Sequence, residues 1–414
     1  MRSSVLSSAA ARYISSKTSL MARHAASVPK LAVFYQATAP PSFGGVVKPR
    51  KETGYRDSCA DIAVAISKLK NSASNTDGLE LVLPNHDNGA LPSETDDAAW
   101  SFPDTEEGIK DALARGANTL WLNTVIHRKH PLFGLYTPVL DGTTSSGIRF
   151  VGQLPEHSED YDDKAVVNPW LAKVDETKTL TDGFPKSLVL SQEATSTQEG
   201  FDSGMKRIEH ELGLPCVLKP IRGRGSHGVA VVHNEEELRQ HSAKLFKECP
   251  EILAEEFLTG EEITIAIMPP GKFDEPVGIK ATHWTLPIVI RSQHVNDITP
   301  YNGVQPVAEN SAAITPEQYA KDKAEYSKVE ERVRRAGEIM GTRAVGRIDC
   351  RRNQQGEFKL FDVNMKPNAT GPGRPGRENQ TSLVGMAAQA MGWDYPTLLV
   401  NLIRAATPLK SIKS

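Results

Sequence analysis

The amino-acid sequence predicts a multidomain chain of the α/β and α+β classes, and three observations carry that reading. Strands alternate with helices from residue 31 to about 155, strands come in pairs after residue 175, and 414 residues suffice for two or three folded units with a cleft between them. A composition of 39% hydrophobic and 24% charged residues supports a packed core and excludes a disordered chain. No apolar run approaches the ~20 residues of a membrane-spanning helix. A net charge of −3 lacks the basic excess of a nucleic-acid surface. Small molecules are therefore the expected partners, with no nucleic acid and no membrane. Cys59, Cys216, Cys249 and Cys350 form no CxxC pair and read as free thiols of a reducing compartment.

Charge is unevenly spread. Residues 1–50 hold seven Lys/Arg and no acid, and the first thirty contain eight serines. That composition fits a mitochondrial transit peptide, so residues 1–30 are set apart from the fold. The alternatives are a disordered basic tail, or a true start at Met21 and a cytoplasmic protein.

From residue 31, LAVFYQ reads as a buried strand, DSCADIAVAISKLK as an amphipathic helix, LELVLP as a strand, TEEGIKDALARG as a helix and TLWLNT as a strand. This βαβαβ pattern implies a parallel sheet covered by helices over residues 31–160. The acidic, turn-rich LPEHSEDYDDK reads as a linker. A central unit over 170–268 opens with a short helix around TKTLTDG and continues through strands at SLVLS, PCVLKP and VAVV to ILAEEFL. The last unit, 269–414, has strands PIVIRS, AVGRIDC and EFKLFDVN, a long helix from Pro316 to Met340 and two closing helices.

Gly223, Gly225 and Gly228 form a GxGxxG loop, which alone is a weak signal. A dinucleotide fingerprint requires a helix after the glycines, but β-branched VAVV follows; a P-loop requires Lys-Ser/Thr, but Val229 and Ala230 stand there. A strand-loop-strand flap whose backbone N–H groups approach phosphate remains, the alternative being a plain hairpin turn. The kinase flap fails because Lys219 precedes the loop and the HRD and DFG elements are missing in order.

The segment GRIDCRRNQQGEFKLFDVN reads as a β-hairpin. Period-two alternation puts Arg347 and Asp349 on one face of its first strand and Asp362 and Asn364 on one face of its second. Two carboxylates and an amide suit Mg²⁺, which completes its shell with waters and phosphates, and Arg347 can offset developing negative charge. Solvated acids on an edge hairpin are the alternative. In ILAEEFLTGEEITIAIM, acids among apolar residues suit a clamp for adenine and ribose, or else a solvated turn.

Together these motifs resemble the ATP-grasp superfamily, in its D-alanine:D-alanine ligase-like branch, over roughly residues 170–405, with a Rossmann-like domain preceding it. The resemblance implies that Lys178 and Lys219 hold nucleotide together with Gly223, Gly225, Ser226 and Gly228 of the flap. It puts Glu255, Phe257 and Leu258 beside adenine, Glu262 on ribose, and Asp349, Asp362 and Asn364 on two Mg²⁺ ions, for which Mn²⁺ substitutes. Arg347 and the flap's Ser226 become the catalytic residues, and Ser382 and Leu383 touch the acceptor. The implied reaction is ATP-dependent ligation of a carboxylate to an amine through an acyl phosphate, with a homodimer expected by analogy. The alternatives are a small-molecule kinase and a non-catalytic nucleotide sensor.

The departures are specific. Ser226-His227 replaces a pair of serines, Asp362 replaces a glutamate, GYRDSCAD replaces the motif that holds the first D-alanine, and NTVIHRKHPLF replaces a His-Gly-rich motif. The first substrate is therefore not expected to be D-alanine. His127 and His130 in the last of these read as a surface turn. The loop NATGPGRPGRENQT is long and carries Arg374 and Arg377, which suit either a second substrate carboxylate or a solvated basic loop.

Overall fold

A computed structural model describes residues 28–43, 45–46, 52–69, 77–85, 90–133, 147–223, 226–299 and 307–409. The segment read as a transit peptide lies almost wholly outside these, as does Gly225 of the flap.

The N-terminal sheet is built on β1 (Lys30–Tyr35), whose Leu31 to Phe34 are fully buried. It pairs in parallel with β2 (Glu80–Leu81), β3 (Phe102–Pro103) and β4 (Thr119–Asn123), and β4 continues in parallel to β5 (Arg149–Val151). Helix α1 (Arg56–Lys68) covers one face and α2 (Glu106–Ala114), capped by the Thr105 hydroxyl, belongs to the core on the other. The predicted linker is instead helix α3 (Pro155–Asp160) and a turn leading into α4 (Lys164–Val174), a helix that the sequence reading leaves unassigned, whereas TKTLTDG forms turns rather than a helix. Pro169 in the middle of α4 is what hides it, since a proline removes a helical N–H and argues against a helix.

The central unit is a four-stranded antiparallel sheet. It comprises β6 (Ser187–Ser191), β7 (Cys216–Pro220), β8 (Ala230–Val232) and β9 (Glu251–Glu256), in the order β6-β9-β7-β8. Helices α5 (Gln198–Glu211) and α6 (Glu235–Leu245) pack on it through Met205, Ile208, Leu238 and Leu245. Three successive glutamates in the first turn of α6 favour its positive end.

The third sheet begins with β10 (Glu262–Met268); after a separate two-stranded hairpin, β11 (Gly271–Lys272) and β12 (Ile279–Lys280), it continues with β13 (Trp284–Thr285), β14 (Val289–Arg291) and β15 (Ser311–Ala313). The predicted long helix is broken at Asp322 into α7 (Pro316–Lys321) and α8 (Lys323–Met340). Val329, Val333, Ala336 and Met340 recur at helical spacing and seat α8 on the sheet, where any Cβ on Gly337 would come within 2.6 Å of Ile267. Strands β16 (Gly346–Arg352) and β17 (Phe358–Asn364) complete the order β15-β14-β10-β16-β17, with β13 also paired to β10. Helices α9 (Leu383–Ala390) and α10 (Tyr395–Arg404) then share a core with α1, and β18 (Thr407–Pro408) joins β5 antiparallel. The C-terminal residues thus cover the first sheet as well as following the third. Among the described residues no helix is long and apolar enough to cross a membrane.

Candidate functional site

The site starts from the register of β16 and β17. Asp349 pairs directly with Asp362, and Arg347 with Asn364, so the four side chains share one face of adjacent strands. The register shifts between Asp349 and Cys350, leaving Phe361 as an extra residue in β17. Such a bulge frees a carbonyl from the ladder and bends the strand. The freed Phe361 carbonyl accepts a 3.2 Å hydrogen bond from Lys219 Nζ of β7, joining the central sheet to the third.

Arg347 grips Asp349 with two parallel bonds, Nε to Oδ1 at 3.0 Å and Nη2 to Oδ2 at 2.9 Å, while the Thr264 hydroxyl donates to Oδ1 at 2.5 Å. Asp362 faces a different cation, Lys164 Nζ of α4 at 3.0 Å. Lys164 is buried, and its ammonium also donates to the Gly223 carbonyl of the flap at 3.3 Å. Burial alone would lower its pKa, but Asp362, with Asp162 and Glu255, carries it above its ordinary value. Lys219 Nζ sits 2.5 Å from Glu255 Oε2. Burial pushes the Glu255 carboxyl up, against the pull of Lys219 and Lys164, and its Oε1 is buried with no hydrogen-bond partner among the described residues. Three cation–carboxylate pairs are thus brought together: Arg347–Asp349 on β16, Lys164 of α4 with Asp362 of β17, and Lys219–Glu255 on the central sheet, with Lys219 linked to the third sheet by the Phe361 carbonyl and Lys164 to the flap by the Gly223 carbonyl.

The flap itself carries Ser226, held at φ 58° with its hydroxyl donating to the Thr299 carbonyl at 3.3 Å, and Gly228 at φ 70°, where a Cβ would lie 2.8 Å from Leu245. Glu262, at the start of β10, bonds His294 Nε2 at 2.9 Å. Leu258 is buried, and the Arg351 guanidinium lies 5.5 Å from the centre of the half-buried Phe257 ring.

The oxygens of Asp349, Asp362 and Asn364 are hard donors of the kind Mg²⁺ takes. Among the described residues no group of three or more His, Cys, Asp or Glu is placed to hold a metal unaided. Two carboxylates and an amide fit an ion that draws its remaining ligands from phosphate and water.

Several sequence expectations are corrected. Lys178 is exposed on the turn after α4 and makes no side-chain bond to these groups among the described residues, whereas Lys164 pairs with Asp362. Arg374 is not solvated, and both Arg374 and Arg377, the latter 21% exposed, are already paired with carboxylates. Arg374 is 2% exposed and binds Asp61 Oδ1 at 2.7 Å and Asp97 Oδ1 at 2.7 Å, and Arg377 binds both Asp61 oxygens at 2.8 Å. The buried Asp61 of α1 demands this, because a carboxylate out of water must be paired. Ser382 is the N-cap of α9, its hydroxyl accepting from Gly385 N at 3.0 Å, and Leu383 lies in the core. His127 and His130 are buried, not on a surface turn; His130 Nε2 lies 3.6 Å from Asp104, and burial beside His130 pushes His127 down to about 4.

Sequence reasoning missed Lys164, Thr264 and His294. Asp163 ahead of the apolar spacing Val167, Trp170, Leu171 is a helix-start signal that would have raised Lys164. Nothing local marks His294.

A family model described as the D-ala D-ala ligase C-terminus matches residues 185–404. The D-alanine–D-alanine ligase of Acinetobacter baylyi is 29% identical over 202 residues, 49% of this chain and 58% of that protein. The one of Dechloromonas aromatica is 30% identical over 208 residues, 50% and 60% of the two. The matches thus span under two thirds of the length of these curated relatives. The fold extends further. The VanG D-Ala:D-Ser ligase of Enterococcus faecalis superposes with a TM-score of 0.55 at 14% identity, covering 91% of this chain and 99% of that one. The D-alanine–D-alanine ligase of Bacillus anthracis gives 0.55 at 17% identity, with coverage of 91% and 97%. The family match spans more than half of the sequence, and the chain belongs to the D-alanine–D-alanine ligase C-terminal family, with the ATP-grasp fold.

Proposed function

We propose that the protein is an ATP-dependent ligase that joins a small carboxylic acid to an amine through an acyl phosphate. The observation that carries this reading is the set of three cation–carboxylate pairs on β16, on the central sheet and from α4 to β17, next to the flap and within a family of ligases. In the first step a carboxylate oxygen attacks the γ-phosphorus of ATP and ADP leaves. In the second the amine nitrogen attacks the acyl carbon, phosphate leaves with the electron pair of the broken C–O bond, and the nitrogen loses a proton.

Lys164 and Lys219 hold phosphate oxygens in this scheme, each already fixed by a carboxylate so that little ordering is left for binding. Glu255 and Glu262 face the nucleoside, with Phe257 and Leu258 beside the base. Asp349, Asp362 and Asn364 would hold Mg²⁺, which when bound offsets charge on phosphate. Arg347, oriented by its two bonds to Asp349, donates to the oxyanion that develops on the acyl oxygen. The flap, with Gly223, Ser226 and Gly228 and with Gly225 outside the described residues, excludes water from the acyl phosphate.

The test is release of ADP and phosphate in Mg²⁺ from pooled acids and amines, with mass spectrometry of the products. The reading expects release that needs both pools and a product mass equal to acid plus amine minus water. A phosphorylated acid as the stable end product would assign a kinase instead, and ATP binding without turnover in any pool would assign a sensor.

A further inference from the structure

The third sheet's functional face does not end at Asn364. The backbone N–H of Lys366 donates to Asn364 Oδ1 at 3.1 Å, and the Lys366 ammonium stands 3.8 Å from the centre of the Tyr55 ring. The line of polar groups thus runs from Lys219 and Asp362, past Arg347 and Asn364, to the N-terminus of α1. That terminus is held against the end of β1 by Gly54, which sits at φ 59° with its carbonyl accepting from Gln36 N at 2.9 Å. A Cβ there would lie 2.2 Å from the Gln36 carbonyl oxygen. Only glycine permits that approach. It brings Arg56, the first residue of α1, over Tyr35, the last of β1, with the guanidinium 4.2 Å from the ring centre and Nη2 donating to the Tyr35 hydroxyl at 2.9 Å. Ligands of open α/β sheets bind at this carboxyl edge of the strands.

Asp57 and Asp61 are the nearest acids on α1, and Arg377 and Arg374 take them up, with Arg377 Nη2 3.4 Å from Asp57 Oδ2. Among the described residues Arg56 has no carboxylate partner, and its Nε–H is buried with no acceptor. A buried guanidinium N–H without an acceptor is costly and is satisfied best by an anion. The positive end of α1 adds to the same field.

We propose that the acyl-donor pocket takes a small acid bearing a second anionic group, either a carboxylate or a phosphate, and that Arg56 and Lys366 read that group. The proposal rests on the ligase reading for the position of the acyl donor. The reacting carboxylate lies at Arg347 and Asn364, the second anion points toward α1, and the clamp by Arg374 and Arg377 serves the pocket by neutralising its acids.

Titration calorimetry on the full chain without ATP tests it, using succinate, phosphoglycolate, propionate and D-alanine as probes. At least one dianion binds ~10-fold or more tighter than propionate and D-alanine. Succinate against phosphoglycolate then tells carboxylate from phosphate. Arg56→Gln removes the preference and Arg56→Lys retains part of it. Lys366→Met, which leaves the β1–α1 contact intact, weakens dianion binding if Arg56→Gln does not fold. Equal or tighter binding of propionate or D-alanine overturns the proposal, as does an unchanged preference in both Arg56→Gln and Lys366→Met. Because no turnover is needed, dianion binding without amide formation would fail the ligase reading alone, and amide formation from D-alanine with no dianion preference would fail this proposal alone.

Discussion

The junction of α4, β17 and the central sheet and the contact between α1 and the loop after β17 are both built of lysine or arginine paired with aspartate or glutamate, yet Asp362 and Asp61 differ in access. At the junction Asp362 keeps 29% of its side chain exposed while Lys164 holds it. At the loop, Asp61 is 0% exposed and Arg374 2%. A pair that solvent reaches can exchange a partner for an incoming phosphate or metal, whereas a sealed pair can only be broken at a cost. That contrast holds for Asp362 against Asp61; the Lys219–Glu255 pair, at 5% and 4% exposed, is as sealed as the clamp, and there it is the neighbouring flap that sets it apart.

Asp61→Ala gives the largest expected effect on stability, because it removes the buried carboxylate that Arg374 and Arg377 share and leaves Arg374 with Asp97 as its one carboxylate among the described residues. A loss of ~3–5 kcal/mol is expected in chemical denaturation, and a loss under 1 kcal/mol would put the loop back among substrate-binding elements. Lys164→Met sharpens the other side of the comparison. It removes charge-assisted bonds worth ~1.5–3 kcal/mol, so kcat/KM for ATP falls roughly 10- to 100-fold while the melting temperature holds. Lys178→Ala, the exposed lysine that the family pattern favoured, changes kcat/KM less than about two-fold, as surface changes away from bonded networks do. If Lys178→Ala is the more damaging of the two, the assignment is reversed.

The smallest effect concerns acid. Burial would raise the Asp175 carboxyl, but bonds from Leu180 N–H, Arg335 and Thr177 bring it down from an ordinary 3.8 to about 2. Its folded value is depressed, so its contribution is complete above pH 3.8 and fades as pH falls toward 2. Asp175→Asn is expected to flatten the fall in melting temperature across that window, and a curve parallel to wild type would exclude the pair as its source.

The β16–β17 face was legible because strand alternation is local: Arg347, Asp349, Asp362 and Asn364 fall on one side whatever packs against them. The bulge at Phe361 was not, since it depends on register with the partner strand. Lys164 was lost because Pro169 and the acidic residues before it imitate a linker, while helix formation there is enforced by burial of Trp170 and Leu171. Arg374 and Arg377 were misread for a different reason. Their partner Asp61 lies more than three hundred residues away in sequence, and only the tertiary fold shows that their charge is already spent.

The most direct test of the central claim uses the acid identified by the pooled assay, labelled with ¹⁸O in both carboxylate oxygens and turned over with ATP and the amine. Reaction through an acyl phosphate predicts one ¹⁸O in each released phosphate and one fewer in the amide. Phosphate free of label, with ADP formed at the same rate, would contradict it.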